Sequence, residues 1–169
     1  IGAVTKNQDG KQITEMSLMY DEGAVAFSDD GLPIQNGAIM RTALEYSKFL
    51  NVPVINHAED CCLVNQGTMH EGDVSLNLGL VGNPDISEST MIYRDLAIAD
   101  YVGGSLHIPH VSSSKSLDVI KFFKDKGVNV SDKFDQLLNV TDSYRGPLTY
   151  FLSALFLKAF KNSYQFAYL

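Results

Sequence analysis

Short apolar runs alternate along this chain with longer segments of helical period, and this alternation constrains the fold more than any other feature. The strand-like runs are IGAVT, AVAFS, VPVINH, GSLHIPHVS and VNVS. The segments between them repeat apolar residues at intervals of three and four, which indicates helices. Strands separated by helices predict right-handed β-α-β units and a parallel sheet, either doubly wound or closed into a barrel.

The missing phosphate-binding turn favours the barrel. Neither G-x-G-x-x-G nor G-x-x-x-x-G-K-[ST] occurs in the sequence, whereas a doubly wound nucleotide-binding sheet is expected to carry such a turn after its first strand. A whole barrel takes about 250 residues. Four complete units and the start of a fifth therefore predict an α/β chain that forms part of a TIM-type (β/α)8 barrel.

Four helices are expected between these strands, over residues 13–23, 36–50, 87–102 and 114–127. The stretch 65–85 is rich in glycine and predicts a loop or excursion with little regular structure. In the second helix, the residues predicted on or near the apolar face are Ile39, Met40, Ala43, Leu44 and Phe49.

Composition excludes several classes of protein. A formal net charge of −7 over 169 residues argues against a nucleic-acid-binding surface, which needs clustered Lys and Arg. The uncharged stretch 147–157 is far shorter than the roughly 20 residues of a membrane-spanning helix. The sequence shows no initiating Met and no signal-peptide pattern, so we expect a piece of a longer protein.

The only two cysteines, Cys61 and Cys62, are adjacent. They cannot form an ordinary loop-closing disulfide or supply a four-ligand zinc site by themselves. With the rest of the composition, they indicate a reducing, cytoplasmic compartment. A small molecule or another protein is the expected partner.

Carboxylate and imidazole side chains follow three successive predicted strands. In parallel α/β folds the carboxyl ends of the strands carry the functional groups, and carboxylate oxygen and imidazole nitrogen are normal ligands of a divalent metal such as zinc. A turn alone would also explain two acids before a glycine. The strand ends carry Asp29 and Asp30, then His57 with Glu59 and Asp60, then His107 and His110.

The two histidines of the fourth strand have different expected positions. Side chains three residues apart on a strand point to opposite faces, so His107 and His110 cannot both face one site without a bend. His110, the later of the two, is the simpler candidate for a ligand. His70, in the irregular stretch, is expected to pack within its loop.

Several blocks together resemble bacterial dihydroorotases of the amidohydrolase superfamily. They are GAVAFSDDGLPIQ, NHAEDCCLVNQG, HEGDVSLNLGLVGNP, ESTMIYRDLAIADYVGG and HIPHVSSSKSLDVIKFFKDKG. The resemblance covers residues 1–131 in consistent order and spacing and does not extend to the tail, residues 132–169. It implies a barrel of the metal-dependent amidohydrolase kind, whose central βα units would be residues 1–131.

The resemblance also implies a reaction and a ligand set. The reaction is the reversible, metal-assisted hydrolysis of dihydroorotate to N-carbamoyl-L-aspartate in pyrimidine synthesis, with one or two zinc ions. Asp30, His57 and His110 match metal ligands of the family, and Asp30 takes the place that hydantoinases fill with a carboxylated lysine. The family's His-x-His pair and its substrate-binding arginine would precede Ile1, and its catalytic aspartate would follow the matched region, so this chain alone is expected to be inactive.

Two alternatives remain open at this point. One is a related cyclic amidase of the dihydropyrimidinase, hydantoinase or allantoinase type, against which the absence of a lysine after the second strand argues. The other is a non-catalytic dihydroorotase-like subunit that scaffolds aspartate carbamoyltransferase. In either case, unpaired strand edges of a partial barrel favour aggregation or a homodimer over a stable monomer.

Overall fold

The structure is a computed structural model that describes residues 1–64 and 66–130. The predicted tail, residues 132–169, lies outside the described residues. The strands are β1 (Phe27–Ser28), β2 (Val54–Ile55), β3 (Met69–His70), β4 (Gly82–Asn83) and β5 (Leu106–His107). The helices are α1 (Met16–Asp21), α2 (Gly37–Leu50), α3 (Asp73–Leu78), α4 (Ile86–Val102) and α5 (Ser114–Asp125).

The main sheet is parallel and has the order β1, β2, β5. Phe27 pairs with Val54, and Val54 pairs with Leu106. Parallel bridges add Gly2 beside Phe27 and Val130 beside Leu106. The sheet therefore contains all five predicted strand regions, side by side in chain order, and the predicted α/β class is confirmed.

Helices cover the sheet and supply most of the core. α2 begins after Asn36, whose side chain accepts a hydrogen bond from the Ala38 amide at 2.9 Å, and α5 begins in the same way after Ser113. Gly103 ends α4 in the left-handed conformation, for which glycine carries no steric penalty. The core includes Phe27, Met40, Leu44, Val54, Ile92, Leu96, Leu106, Ile120 and Phe123.

Two expectations from the sequence are wrong in detail. Phe49, assigned to the apolar face of α2, is 82 % exposed; buried Ser47 and Leu50 continue that face instead, because Phe49 is out of phase with the helical repeat. The first helix is shorter than residues 13–23, since α1 spans Met16–Asp21.

The glycine-rich stretch contains more regular structure than expected. β3 and β4 pair in parallel around the short helix α3. A Cβ atom on Gly82 would lie 2.4 Å from the Cα atom of Glu71, and one on Gly67 would lie 2.6 Å from the carbonyl carbon of Gly82. These glycines allow backbone segments to approach closely, so they mark a packed excursion and not only a loop.

No helix among the described residues is both long and apolar enough to cross a membrane.

Candidate functional site

The first of the two adjacent acids, Asp29, has a structural contact that explains its position. Its Oδ1 atom accepts hydrogen bonds from the backbone amides of Val4 and Thr5 at 2.8 and 2.9 Å, and the Thr5 hydroxyl donates to Oδ2. All three residues are buried. Asp29 therefore joins the end of β1 to the chain segment beside it, satisfying main-chain donors that would otherwise be buried without a partner.

The second acid, Asp30, is exposed and lies in the turn after β1. Its backbone has a φ of 57°, in the left-handed region that Asp tolerates better than most residues. The Ser28 hydroxyl accepts a hydrogen bond from the Asp30 amide at 2.9 Å. The Asp30 carboxylate thus lies at the surface, in contrast to the buried carboxylate of Asp29.

The structure brings His57 and His110 together. β2 and β5 are adjacent parallel strands, and each histidine follows the carboxyl end of its strand. Their rings meet edge to face with centroids 4.8 Å apart. His107, by contrast, pairs within the ladder opposite Ile55.

Two effects lower the pKa of the His57 imidazole from its ordinary 6.5: burial comes first, followed by the neighbouring His110 ring. Three carboxylates, on Glu59, Glu88 and Asp30, oppose the shift. Because burial and the second imidazole outweigh them, His57 is neutral at pH 7 and keeps a lone pair on its ring.

The imidazole pair meets one requirement of a metal site. The Nδ1 atom of His57 is buried and has no hydrogen-bond partner among the described residues, which is costly unless a ligand occupies it. Within residues 1–64 and 66–130, however, no three His, Cys, Asp or Glu side chains form a group that could hold a metal ion. Asp30, His57 and His110 are therefore not gathered into a three-ligand cluster, and their assignment as ligands stays a prediction.

A buried polar network behind His57 is absent from the sequence prediction. Asn56, the residue before His57, donates to Oδ2 of Asp95 at 2.7 Å, and Oδ1 of Asn56 accepts from the Ile34 amide at 3.1 Å. Arg94 binds Oδ1 of Asp95 through Nε at 2.8 Å. In the sequence, only the presence of Arg94 and Asp95 among the apolar residues of a helix hinted at this network.

The loop after His110 is held by α4 as well. The Glu88 carboxylate accepts hydrogen bonds from the Ser112 and Ser113 amides at 2.9 to 3.1 Å. These amides lie just before α5, where the helix dipole favours a negative charge. Glu88 thus fixes the segment that follows His110.

A cavity of about 280 Å³ opens at the opposite edge of the sheet, where the strands begin. Among the described residues that line it, the charged side chain is that of Lys48, whose Nζ atom donates to the Val102 carbonyl at 2.9 Å. Within residues 1–64 and 66–130, no acid, histidine or cysteine lines this cavity. The two paired histidines, His57 and His110, lie at the other edge of the sheet.

Comparison with known proteins identifies the relatives of the chain. The family described as dihydro-orotase-like matches residues 1–116. A dihydroorotase of Pelotomaculum thermopropionicum is 46 % identical over 131 residues, which cover 78 % of this chain and 31 % of that protein. A dihydroorotase of Syntrophobacter fumaroxidans is 40 % identical over 162 residues, covering 87 % and 37 %. The chain thus spans about a third of the length of the curated relatives it matches.

Solved structures with the same fold include hydantoinases. A D-hydantoinase structure matches with a TM-score of 0.55 and 21 % identity, over 69 % of this chain and 27 % of the other. An L-hydantoinase (dihydropyrimidinase) from Arthrobacter aurescens matches with a TM-score of 0.57 and 18 % identity, over 76 % and 30 %. At this identity the likeness concerns the fold alone, whereas the family match covers most of the sequence: the chain belongs to the dihydro-orotase-like family.

Proposed function

We propose that this chain is the central part of a dihydroorotase, which hydrolyses the cyclic amide of dihydroorotate reversibly to N-carbamoyl-L-aspartate. The observation that carries the proposal is the His57–His110 pair, 4.8 Å apart after adjacent parallel strands, in a chain of the dihydro-orotase-like family. A relative named dihydroorotase shares 46 % identity with it over 131 residues.

The architecture we propose is a partial (β/α)8 barrel, with residues 1–131 as its central units and residues 132–169 outside the matching region. Support comes from five parallel strand regions in chain order and from the hydantoinase folds. The remaining strands would complete the barrel in a full-length protein, in keeping with a relative of which the 131 matched residues are 31 %.

The residues proposed to hold a divalent metal are Asp30, His57 and His110. The donor set fits zinc, since it combines a carboxylate with two imidazoles, and the unpartnered Nδ1 atom of His57 fits a ligand position. Bound zinc supplies Lewis-acid polarisation of an amide carbonyl and a hydroxide nucleophile near neutral pH. His57, neutral at pH 7 because its pKa is lowered by burial and by His110, binds without first losing a proton.

No residue of this chain is proposed as the general acid or base. His57 and His110 would hold and orient the metal ion. Asp30 would add negative charge beside it without transferring a proton. We place the proton-transferring aspartate and the remaining ligands in the rest of the full-length protein. The protein is proposed to act in the cytoplasm on a small-molecule substrate, as a dimer or in association with aspartate carbamoyltransferase.

The test is a substrate panel and metal analysis on the full-length protein that contains this chain. We expect turnover of dihydroorotate, little turnover of dihydrouracil or allantoin, and stoichiometric zinc by elemental analysis. His57→Ala and His110→Ala should each abolish turnover. Near-normal activity in His110→Ala would remove that residue from the site.

The same panel separates the alternatives. Preference for dihydrouracil or allantoin would identify a related cyclic amidase, and a protein without metal or turnover would identify a scaffold subunit. The 169-residue chain by itself should show no dihydroorotase activity, and substantial turnover by it would contradict the proposed division of the ligands.

A further inference from the structure

We propose that Asp95 is a positioning residue for the candidate metal site, acting through Asn56 and Arg94. The inference rests on the proposed function, because it assigns Asp95 the task of holding two candidate ligand segments in register. Asp95 lies on α4 and is 1 % exposed. It touches none of the three proposed ligands, so any effect on the metal has to pass through its partners.

The first partner connects Asp95 to His57. The Nδ2 atom of Asn56 donates to Oδ2 of Asp95 at 2.7 Å, and Asn56 is itself buried. Since Asn56 immediately precedes His57 in the chain, this bond fixes the backbone from which the His57 side chain projects. The other end of the same amide, Oδ1, accepts from the Ile34 amide at 3.1 Å.

The second partner connects Asp95 to the loop that carries Asp30. Arg94 donates to Oδ1 of Asp95 from Nε at 2.8 Å and approaches it with Nη2 at 2.6 Å. The same guanidinium donates to the carbonyls of Ile34 at 2.6 Å and Gln35 at 2.7 Å. Ile34 lies four residues after Asp30, so the guanidinium holds the end of that loop.

The Asp30 loop is therefore tied to the His57 segment twice. Ile34 is bound to Asn56 through its amide and to Arg94 through its carbonyl. Gln35 adds a further link, because its Nε2 atom donates to the Glu59 carbonyl at 2.7 Å. Asp95 is the acceptor shared by Asn56 and Arg94, and removing its charge affects both connections at once.

The burial of this acid has a cost that fold stability does not explain. Burial raises the pKa of Asp95 to about 6, although Arg94 and Asn56 both act to lower it. A buried ion pair gives little net stability compared with apolar side chains of similar size. A charge kept in such a place is better explained by the geometry it imposes on Ile34 and Asn56.

The decisive variant is Asp95→Asn in the full-length protein. Whichever way the new amide is oriented, its NH2 group faces either Arg94 or the Nδ2 atom of Asn56, and both are donors. The side chain keeps its volume but cannot accept from both partners. The matched control is Asp100→Asn on the same helix, because Asp100 is exposed and pairs only at the surface with Lys126 at 3.0 Å.

Three quantities are measured for each variant. They are the zinc dissociation constant, by competition with a chromophoric chelator, the hydrogen-exchange rate of the Ile34 amide, and kcat for dihydroorotate at saturating zinc. For Asp95→Asn we expect zinc affinity and kcat each to fall about 10-fold, as for other supporting residues of metal sites, with faster exchange at Ile34. Asp100→Asn should stay within about twofold of wild type in all three measurements.

The outcomes separate this inference from the proposed function. Wild-type protein that binds no zinc and turns over no dihydroorotate would refute the proposed function, and with it this role of Asp95. Wild-type protein that is active, with Asp95→Asn unchanged in zinc affinity and kcat, would overturn the inference alone. If Asp95→Asn does not fold, the Arg94→Lys variant tests the inference, because lysine keeps the charge but cannot reach Asp95 and both carbonyls. Unchanged zinc affinity in Arg94→Lys would also overturn the role of Asp95.

Discussion

The structural role of Asp29 and the proposed ligand role of Asp30 can be tested by truncating each side chain. Asp29→Ala removes the acceptor of the Val4 and Thr5 amides, both on residues with 0 % exposure. A buried donor left without a partner costs about 1–3 kcal/mol, so two main-chain donors predict a loss of about 4 kcal/mol. That is a large part of the roughly 5–15 kcal/mol by which folded proteins are stable.

Truncation of the second acid should have a much smaller effect on folding. Asp30 is exposed, and Asp30→Ala loses only the tolerance of Asp for the left-handed backbone at φ 57°, which predicts a cost of about 1 kcal/mol. Asp30→Asn keeps that tolerance and should change stability by less than about 0.5 kcal/mol. Both Asp30 variants should instead lose bound zinc.

The assay is urea unfolding of the full-length variants at pH 7, with zinc removed so that metal binding does not contribute. An additional variant, Asp29→Asn, retains one oxygen that can accept from both amides, and should fall between wild type and Asp29→Ala. The reasoning would be refuted by a cost below about 1 kcal/mol for Asp29→Ala, or by a larger cost for Asp30→Ala than for Asp29→Ala.

Two further predictions concern α4. Burial raises the pKa of Asp95 from 3.8 to about 6 in the folded protein, so the folded state binds more protons than the unfolded state and stability rises as pH falls. Between pH 7 and pH 5, wild type should gain about 1 kcal/mol of unfolding free energy relative to Asp95→Asn. Urea unfolding measures this difference, and an equal response of both proteins would contradict the prediction. Glu88→Ala removes the acceptor of the Ser112 and Ser113 amides, so their hydrogen exchange should accelerate about 10-fold, while unchanged rates would show that the carboxylate does not hold this loop.

The positions of the strands could be predicted from the sequence because they depend on local pattern. Alternating apolar runs and helical periods place five strand regions, and the structure aligns all five in chain order. The starts of α2 and α5 follow local chemistry as well, since Asn36 and Ser113 are residues that cap helices, whereas α1 is shorter than predicted at both ends. Phe49 was misassigned because its hydrophobicity was given more weight than its phase in the helix.

Only part of the candidate site could be predicted from the sequence. Parallel strands bring their carboxyl ends to one edge, and this rule alone favours proximity of His57 and His110. It does not distinguish Asp29 from Asp30, because the difference lies in contacts with Val4 and Thr5, 25 and 24 residues away in the chain. Such contacts depend on the packed structure and leave no periodic trace in the sequence.

The same limit explains why the role of α4 emerged only from the structure. Its apolar residues predict a helix that packs on the sheet, but the helix also binds three separate segments. The backbone carbonyl of Ser87 accepts from the Asp60 amide at 2.8 Å, the Glu88 carboxylate holds the loop after His110, and the Asp95 carboxylate holds Asn56. Each segment contains or adjoins a candidate ligand, and each ladder strand of the main sheet is only two residues long. Short strands leave their ends free to move, so a site with metal-binding precision needs support from a rigid element. α4 would provide that support from one continuous helix, so the proposed site includes Glu88 and Asp95 beside the two histidines.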